Sequence, residues 1–313
     1  MGFYEALAQR ALPVDISPSS TSYFSTPEAL LDPRLFRSDR LISSVRDAIL
    51  AILIGHLSVN YQSSDAWSTV WLAGSGVSYQ WSASRDPGDL DCLIGVDFKQ
   101  FRASNSPYVG LGDREIAALL NEGFRTDLQP ETERFLDSFE LTFYVNVNTD
   151  IRDIMPYAAY NLTADVWTVE PSPYRVEPEA SKEWERKASR DTEMAQTILE
   201  RYQQGLAALQ AAVNPASRLN AHAMIKLATS QAASLHEDIH HSRGSAFSQS
   251  GLGYLDYANY RWQYGKETGA VQALKKLRDM HESAQKTAEA ELYGVELPKV
   301  STLIRRAALR YRT

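Results

Sequence analysis

The sequence lacks the residues and segments that define several classes of protein. Cys92 is the single cysteine among 313 residues, which excludes an intrachain disulfide and any metal site built from several cysteines. We therefore expect a reducing compartment, the cytoplasm. The most apolar stretch, residues 48–57, is too short to cross a bilayer, and the first 13 residues carry charges within their apolar stretch, so we expect neither membrane anchor nor signal peptide.

Positive charge is in the minority. Lys and Arg number 32 against 39 Asp and Glu, which gives a formal net charge of −7. A protein that grips nucleic acid with its whole surface needs a broad basic face to displace counterions, so the charge disfavours that mode of binding. Any polyanionic ligand must instead meet a local group of basic residues.

The composition that remains supports two domains with buried cores, because 44% of the 313 residues are hydrophobic. Residues 13–35 are rich in Pro, Ser and Thr, which predicts an N-terminal arm over residues 1–37. Residues 38–175 mix helical and strand patterns and predict an α+β domain. Residues 176–313 are rich in Ala, Gln, Glu, Lys and Arg, which predicts a helical C-terminal domain.

The spacing of apolar residues predicts individual elements. Steps of three and four residues predict helices, whereas runs of β-branched, aromatic and leucine residues predict strands. The predicted helices cover residues 38–57, 113–124, 216–240 and 270–292, with a loop at 244–253, and a further helix carries an apolar stripe of Met194, Ile198, Tyr202, Leu206 and Leu209. The predicted strands cover 70–73, 90–96, 139–147 and 166–169.

Two aspartates stand at the start of a predicted strand. Asp89 and Asp91 are two residues apart, so the two-residue period of a strand places both carboxylates on one face. Two like charges this close repel each other, and divalent cations relieve the repulsion. Oxygen ligands suit Mg²⁺, which also accepts the phosphate oxygens of a substrate.

A Gly-Ser bend precedes this pair. Gly74 and Ser75 end the strand before it, where backbone N–H groups can face an anion, the missing side chain of Gly74 allows a phosphate to approach, and Ser75 adds a hydroxyl donor. A short helix after the bend would favour the same anion. In-line transfer with two metal ions calls for a third acid on a neighbouring strand, and Glu140 interrupts an otherwise apolar one.

At these residues the chain resembles the DNA polymerase β-like nucleotidyltransferase superfamily, whose pattern is a hydrophobic residue, Gly-Ser, an interval of 9 to 13 residues, Asp-x-Asp and a later acid on a strand. The match comprises Gly74-Ser75, 13 intervening residues, Asp89-Leu90-Asp91 and Glu140, within residues 38–170. The resemblance implies a mixed sheet, two Mg²⁺ or Mn²⁺ ions held by Asp89, Asp91 and Glu140, an NTP as substrate, and a helical domain that closes over the nucleotide.

The resemblance also implies that basic residues of the helical domain contact the triphosphate. Residues 243–276 interleave basic and aromatic side chains, which is what phosphate and base require from a protein. The candidates for the nucleotide are Lys226, Arg243, Arg261 and Lys266. Four C-terminal arginines, Arg305, Arg306, Arg310 and Arg312, are expected to form a solvated helix face or to meet an RNA acceptor.

A second motif points to a different chemistry. His236-Glu237-x-x-His240 matches the zinc-peptidase signature, in which two histidines four residues apart on a helix hold zinc and the glutamate acts as base. The polar flanks of the motif favour instead a polar helix end with histidines near the negative pole of its dipole.

Three hypotheses follow from the sequence. The first is a metal-dependent nucleotidyltransferase that transfers NMP from an NTP to a hydroxyl of RNA, protein or a small molecule, with release of pyrophosphate. The second is a zinc metallopeptidase that uses His236, Glu237 and His240. The third is a nucleotide-binding module without turnover.

Overall fold

The computed structural model describes residues 14–19, 28–81, 89–146, 150–154, 156–172, 182–248, 250–294 and 303. These residues divide into two compact units. The sheet unit contains residues 28–172, and the helical unit contains residues 14–19 and 182–294. Within the described ranges no helix is both long and apolar enough to span a membrane.

The sheet unit contains a five-stranded sheet, which is mixed as the resemblance implies, whereas the sequence patterns predicted four strands and missed Ala159–Asn161. A short hairpin, β1 (Phe36–Arg37) and β2 (Arg40–Leu41), precedes the sheet. The five strands lie in the order β5-β4-β3-β6-β7; β4 and β5 are parallel and the other pairs antiparallel. Their bounds are β3 Ser68–Ala73, β4 Leu90–Val96, β5 Leu141–Asn146, β6 Ala159–Asn161 and β7 Val166–Val169.

Helices cover one face of this sheet. They are α1 (Ser43–Asn60), α2 (Ser64–Trp67), α3 (Phe98–Ser104), α4 (Asp113–Gly123) and α5 (Gln129–Thr132), with a π-helical turn, Phe124–Leu128, between α4 and α5. The apolar stripe of α1, formed by Val45, Ile49, Leu53 and Leu57, is buried in one core with Leu72, Leu90, Cys92 and Ile94 of the sheet. This core fixes β3 and β4, whose ends carry the predicted site.

The other face of the sheet has a much smaller core. Trp71, Ala73 and Leu93 pack there against Ile151 and Ala159. Because side chains alternate along a strand, Asp91 shares this face with Leu93. Asp91 is partly exposed, whereas the other six residues of β4 are buried. The less covered face of the sheet is therefore the one that presents a carboxylate.

The helical unit consists of four long helices and a segment from the N-terminal part of the chain. The helices are α6 (Lys182–Gln210), α7 (Pro215–Ala246), α8 (Tyr257–Thr268) and α9 (Ala270–Tyr293). Asn214 caps α7 by accepting a hydrogen bond from Ser217 N, with Pro215 at the first helical position. Val14 lies in the core of this unit, and Ser19 N donates to Glu267 O.

Some predicted bounds differ from those observed. The helix predicted from residue 38 begins at Ser43, because Ser38 has a left-handed φ of 57° and turns the chain within the hairpin. The helix predicted to end near 240 continues to Ala246, into the predicted loop. The strand predicted from 139 begins at Leu141, because Phe139 forms an isolated bridge with Phe135. The four C-terminal arginines lie outside the described residues.

Candidate active site

The Gly-Ser bend lies directly beside Asp91. Ala73, the last residue of β3, is paired with Asp91 of β4, so the bend that follows Ala73 passes the carboxylate. Gly74 has a φ of 90°, and a Cβ added to Gly74 would lie 2.8 Å from Asp91 Oδ2. Both the backbone conformation and this close approach require glycine. The structure thus brings together two parts of the predicted motif that are 17 residues apart in sequence.

The helix expected after the bend is a single 3₁₀ turn, Ser75–Val77. Ser78 closes it, since both its backbone N and its Oγ donate to Ser75 O. A turn of three residues has little macrodipole, so any attraction for an anion here must come from the N–H groups of the bend. Ser75 is exposed at the start of this turn.

Asp91 has a neighbour that the sequence pattern did not identify. Thr142 on β5 lies opposite Asp91 in the parallel register, and its Oγ1 donates to Asp91 Oδ1 at 3.4 Å. The hydroxyl, which also lies 3.5 Å from Leu90 O, thus contacts the carboxylate from the neighbouring strand. Burial, followed by the charge of Asp91, raises the pKa of Cys92, so this thiol stays protonated and inert.

Asp89 and Glu140 each precede a strand by one residue. Leu90 N, at the start of β4, donates to Glu140 O at 2.7 Å, which extends the ladder between β4 and β5 by one residue before the start of β5. Asp89 is exposed and Glu140 is half-buried. The structure therefore places both acids at the starts of adjacent parallel strands.

The Glu140 carboxylate already has a partner. Gln129 Nε2 donates to Glu140 Oε1 at 3.3 Å, so a metal ion would have to share or displace this hydrogen bond. Across the described ranges, no three His, Cys, Asp or Glu side chains stand close enough together to hold a metal ion. The donor chemistry of Asp89, Asp91 and Glu140 suits Mg²⁺, and the three-carboxylate site stays a prediction.

Arg261 joins three helices of the helical unit. Its Nε donates to Asp191 Oδ2 at 2.6 Å, its Nη2 donates to Asp191 Oδ1 at 2.8 Å, and its Nη1 lies 2.8 Å from Asp238 Oδ2. The hydrogen bonds to Asp191 are the main reason that the pKa of Arg261 is raised. Since Asp191 is on α6 and Asp238 on α7, Arg261 ties both to α8. Its donors are engaged within the protein.

The other basic candidates do not form one patch. Lys226 is exposed on α7, and Arg243 follows it by 17 residues on the same helix, which corresponds to about 25 Å along the axis. Lys266 is half-buried on α8. Arg243 instead lies over aromatic rings, 5.5 Å from the ring centroids of both Phe247 and Trp262. The structure thus separates Lys226 from Arg243.

The His-Glu-x-x-His motif lies on α7 with its two imidazoles stacked. The ring centroids of His236 and His240 are 6.0 Å apart and their planes differ by 11°. Arg278 Nη1 lies 3.2 Å from His236 Nδ1, and because arginine only donates, Nδ1 is the acceptor. A histidine that binds zinc instead donates its second ring N–H to an acceptor. The surroundings of His236 therefore do not support a zinc site.

Comparison with known protein families, with curated proteins and with solved structures finds no match to this chain.

Proposed function

We propose that this protein is a metal-dependent nucleotidyltransferase that transfers NMP from an NTP to a hydroxyl acceptor and releases pyrophosphate. The observation that carries the proposal is the close approach of the Gly74 bend to Asp91. A Cβ added to Gly74 would lie 2.8 Å from Asp91 Oδ2. The mixed sheet and the resemblance of Gly74-Ser75, Asp89-x-Asp91 and Glu140 to the polymerase β-like superfamily support it.

Electrostatics link the bend to the carboxylates. Backbone N–H groups at the bend favour a phosphate, but Asp91 beside them repels it. A cation between phosphate and carboxylate removes this conflict, and Mg²⁺ prefers oxygen ligands from both. When bound, the metal ions would activate the acceptor hydroxyl and neutralise charge on the triphosphate.

The residues have separate roles in this proposal. Asp89 and Asp91 hold the metal ions, and Glu140 completes the site. Thr142 orients Asp91 through the 3.4 Å hydrogen bond to Oδ1. Ser75, exposed at the bend, donates its hydroxyl to a phosphate oxygen. In-line transfer depends mainly on such positioning and charge neutralisation. As the acceptor oxygen bonds to the α-phosphorus and pyrophosphate leaves, the Glu140 carboxylate takes the proton of the acceptor hydroxyl.

The decisive experiment measures transfer of label from each of the four α-³²P-labelled NTPs, with Mg²⁺ or Mn²⁺. Total RNA, the protein itself and a pool of small metabolites serve as acceptors in separate reactions. Label on one acceptor class identifies the substrate class, and Asp89→Asn and Asp91→Asn should abolish transfer. Asp47→Asn is the matched control, because Asp47 is an exposed carboxylate on α1.

Two outcomes would reject the proposal. One is transfer that persists at the full rate in Asp91→Asn, which would assign the activity to another site or to a contaminant. The other is NTP binding without transfer to any acceptor, which would favour the nucleotide-binding module without turnover.

A further inference from the structure

The histidine motif on α7 belongs to a cluster that the proposed function does not use. His236, His240 and Arg243 are at positions i, i+4 and i+7, which lie on one face of a helix. All three contact the indole of Trp262 on α8: the ring centroids of His236 and His240 are 6.0 and 5.4 Å away, and the Arg243 guanidinium is 5.5 Å away. With Arg278 of α9, these residues form the histidine–arginine cluster.

The hydrogen bond from Arg278 fixes the tautomer of His236. Since Nδ1 accepts from the guanidinium, the proton of the neutral ring must be on Nε2. Burial, followed by the charge of Arg278, lowers the pKa of His236 to about 4, so the ring is neutral at physiological pH. His236 therefore presents one N–H donor at Nε2.

Two donors of the cluster have no hydrogen-bond partner within the described part of the chain. His236 is 3% exposed, and its Nε2 is buried without a hydrogen bond to any residue that the structure describes. Arg243 Nε is also buried without a hydrogen bond to any described residue. Buried donors without partners are rare, because each loses its hydration without compensation. Two on the same helix face, both beside Trp262, make this cluster a candidate site for a ligand with acceptor atoms.

The charge of the cluster selects the ligand. Arg243 and Arg278 belong to it, and Lys275 also lowers the pKa of His236, whereas Asp279 raises it and Glu237 raises that of His240. Burial is the first cause of the lowered pKa at both rings, and the nearest cations, Arg278 at His236 and Arg243 at His240, come second, so both rings disfavour added positive charge. An anion is thus preferred to a cation, which also explains why the motif is a poor zinc site.

We infer that the histidine–arginine cluster is a binding site for a phosphate-type anion, held by His236 Nε2 and Arg243 Nε. A tetrahedral oxyanion accepts hydrogen bonds from several directions, as donors on an imidazole and a guanidinium require. Both nitrogens are shielded from water, so a side chain must turn before the ion enters. His240 is exposed and is the member of the cluster best placed to do so. The inference does not rest on the proposed transferase activity.

The test uses the full chain without NTP or metal, in a buffer free of phosphate. Inorganic phosphate, pyrophosphate and AMP are titrated while the histidine side-chain resonances are followed by NMR and the thermal midpoint is recorded. The expected result is a saturable shift of the His236 and His240 signals, with a rise in midpoint that follows mass action. Comparison of the three ligands separates free phosphate from a phosphoryl group on a nucleotide.

Variants identify the donors. Arg243→Gln and His236→Phe should each weaken binding by about tenfold or more, since each removes a charge-assisted or buried hydrogen bond. His236→Phe keeps an aromatic ring and removes the unpaired N–H, but it also removes the acceptor of Arg278 Nη1, so its effect is judged by phosphate affinity and not by stability. Arg201→Gln is the control, because Arg201 is an exposed arginine of the same unit that donates to Gln231.

The inference is overturned if no ligand gives a saturable shift at tens of millimolar, which would leave water as the partner of both donors. It is also overturned if Arg243→Gln binds like the wild type, or if Arg201→Gln loses binding equally. Asp91→Asn, which should lack transferase activity, should keep its phosphate affinity. Failure of the transferase proposal would thus leave this result unchanged.

Discussion

Gly74 and Asp91 are in such close contact that a single methyl group on Gly74 would lie 2.8 Å from Asp91 Oδ2. The contact joins the end of β3 to the start of β4, which are paired through Ala73 and Asp91. It makes the bend and the carboxylate one structural unit, so a change at either should affect both stability and the proposed chemistry.

Gly74→Ala should destabilise the protein by about 1–3 kcal/mol, because it forces alanine into a φ of 90° and against Asp91. Gly55→Ala is the matched control: Gly55 is inside α1, and a Cβ there has no neighbour within 4 Å. It should stabilise by about 0.5–1 kcal/mol through helix propensity. Urea unfolding measures both, and equal effects would contradict the conformational explanation.

Thr142→Val should lower the rate of nucleotidyl transfer by about tenfold, because it removes the hydroxyl that restrains Asp91 Oδ1. Thr142→Ser keeps the hydroxyl and should retain most of the activity. Steady-state rates over a range of Mg²⁺ concentrations should show that the valine variant needs a higher Mg²⁺ concentration for half-maximal activity. Full activity in Thr142→Val would show that this hydrogen bond has no role in catalysis.

Asp191→Asn should destabilise the helical unit by about 1–3 kcal/mol, because it weakens a bidentate pair with Arg261 in which both side chains are 15% exposed. Asp238→Asn removes the other partner of Arg261, but Asp238 is 63% exposed, so its loss should cost less than about 1 kcal/mol. Thermal unfolding of both variants measures the difference. A larger effect of Asp238→Asn would contradict the assignment of Asp191 as the main partner.

The free energy of unfolding should decrease as the pH is lowered into the acid range, because of His236. Burial is the main reason that its folded pKa is about 4, whereas an unfolded histidine titrates near 6.5. The unfolded state therefore binds more protons between these values, so this contribution is complete above about pH 6.5 and is lost as the pH falls to about 4. The full shift would correspond to about 3 kcal/mol, and solvent screening makes the expected loss smaller. His236→Phe should remove it, as unfolding in phosphate-free buffers would show.

Local patterns predicted the strand that carries the aspartates. The predicted strand 90–96 coincides with β4, because a continuous apolar run ends at Asp97, whose side chain caps α3 by accepting from Gln100 N. The predicted start of α1 was wrong, because Leu41, which was assigned to the apolar face of the helix, is a buried residue of strand β2. Apolar spacing records which side chains are buried, and it does not reveal a left-handed turn at Ser38.

Contacts between distant residues were beyond the sequence pattern. Thr142 lies beside Asp91 only because β4 and β5 are parallel in one register, and a shift by one residue would turn the hydroxyl to the other face. Arg261 was predicted to bind nucleotide, yet its nearest partner is Asp191, which lies 70 residues earlier. The sequence shows that a residue is charged, but it does not show which oppositely charged residue lies next to it in the fold.

The segment that contains Val14 and Ser19 affects how this protein can be divided. Val14 belongs to the same core as α6, α7 and α9, and Gly269, at the end of α8, has no room for a Cβ because of the Ser17 carbonyl. A recombinant fragment that starts at Lys182 would lack these contacts and expose apolar surface to solvent. Isolating the four helices therefore calls for a circularly permuted chain, or for adding residues 14–19 as a separate peptide.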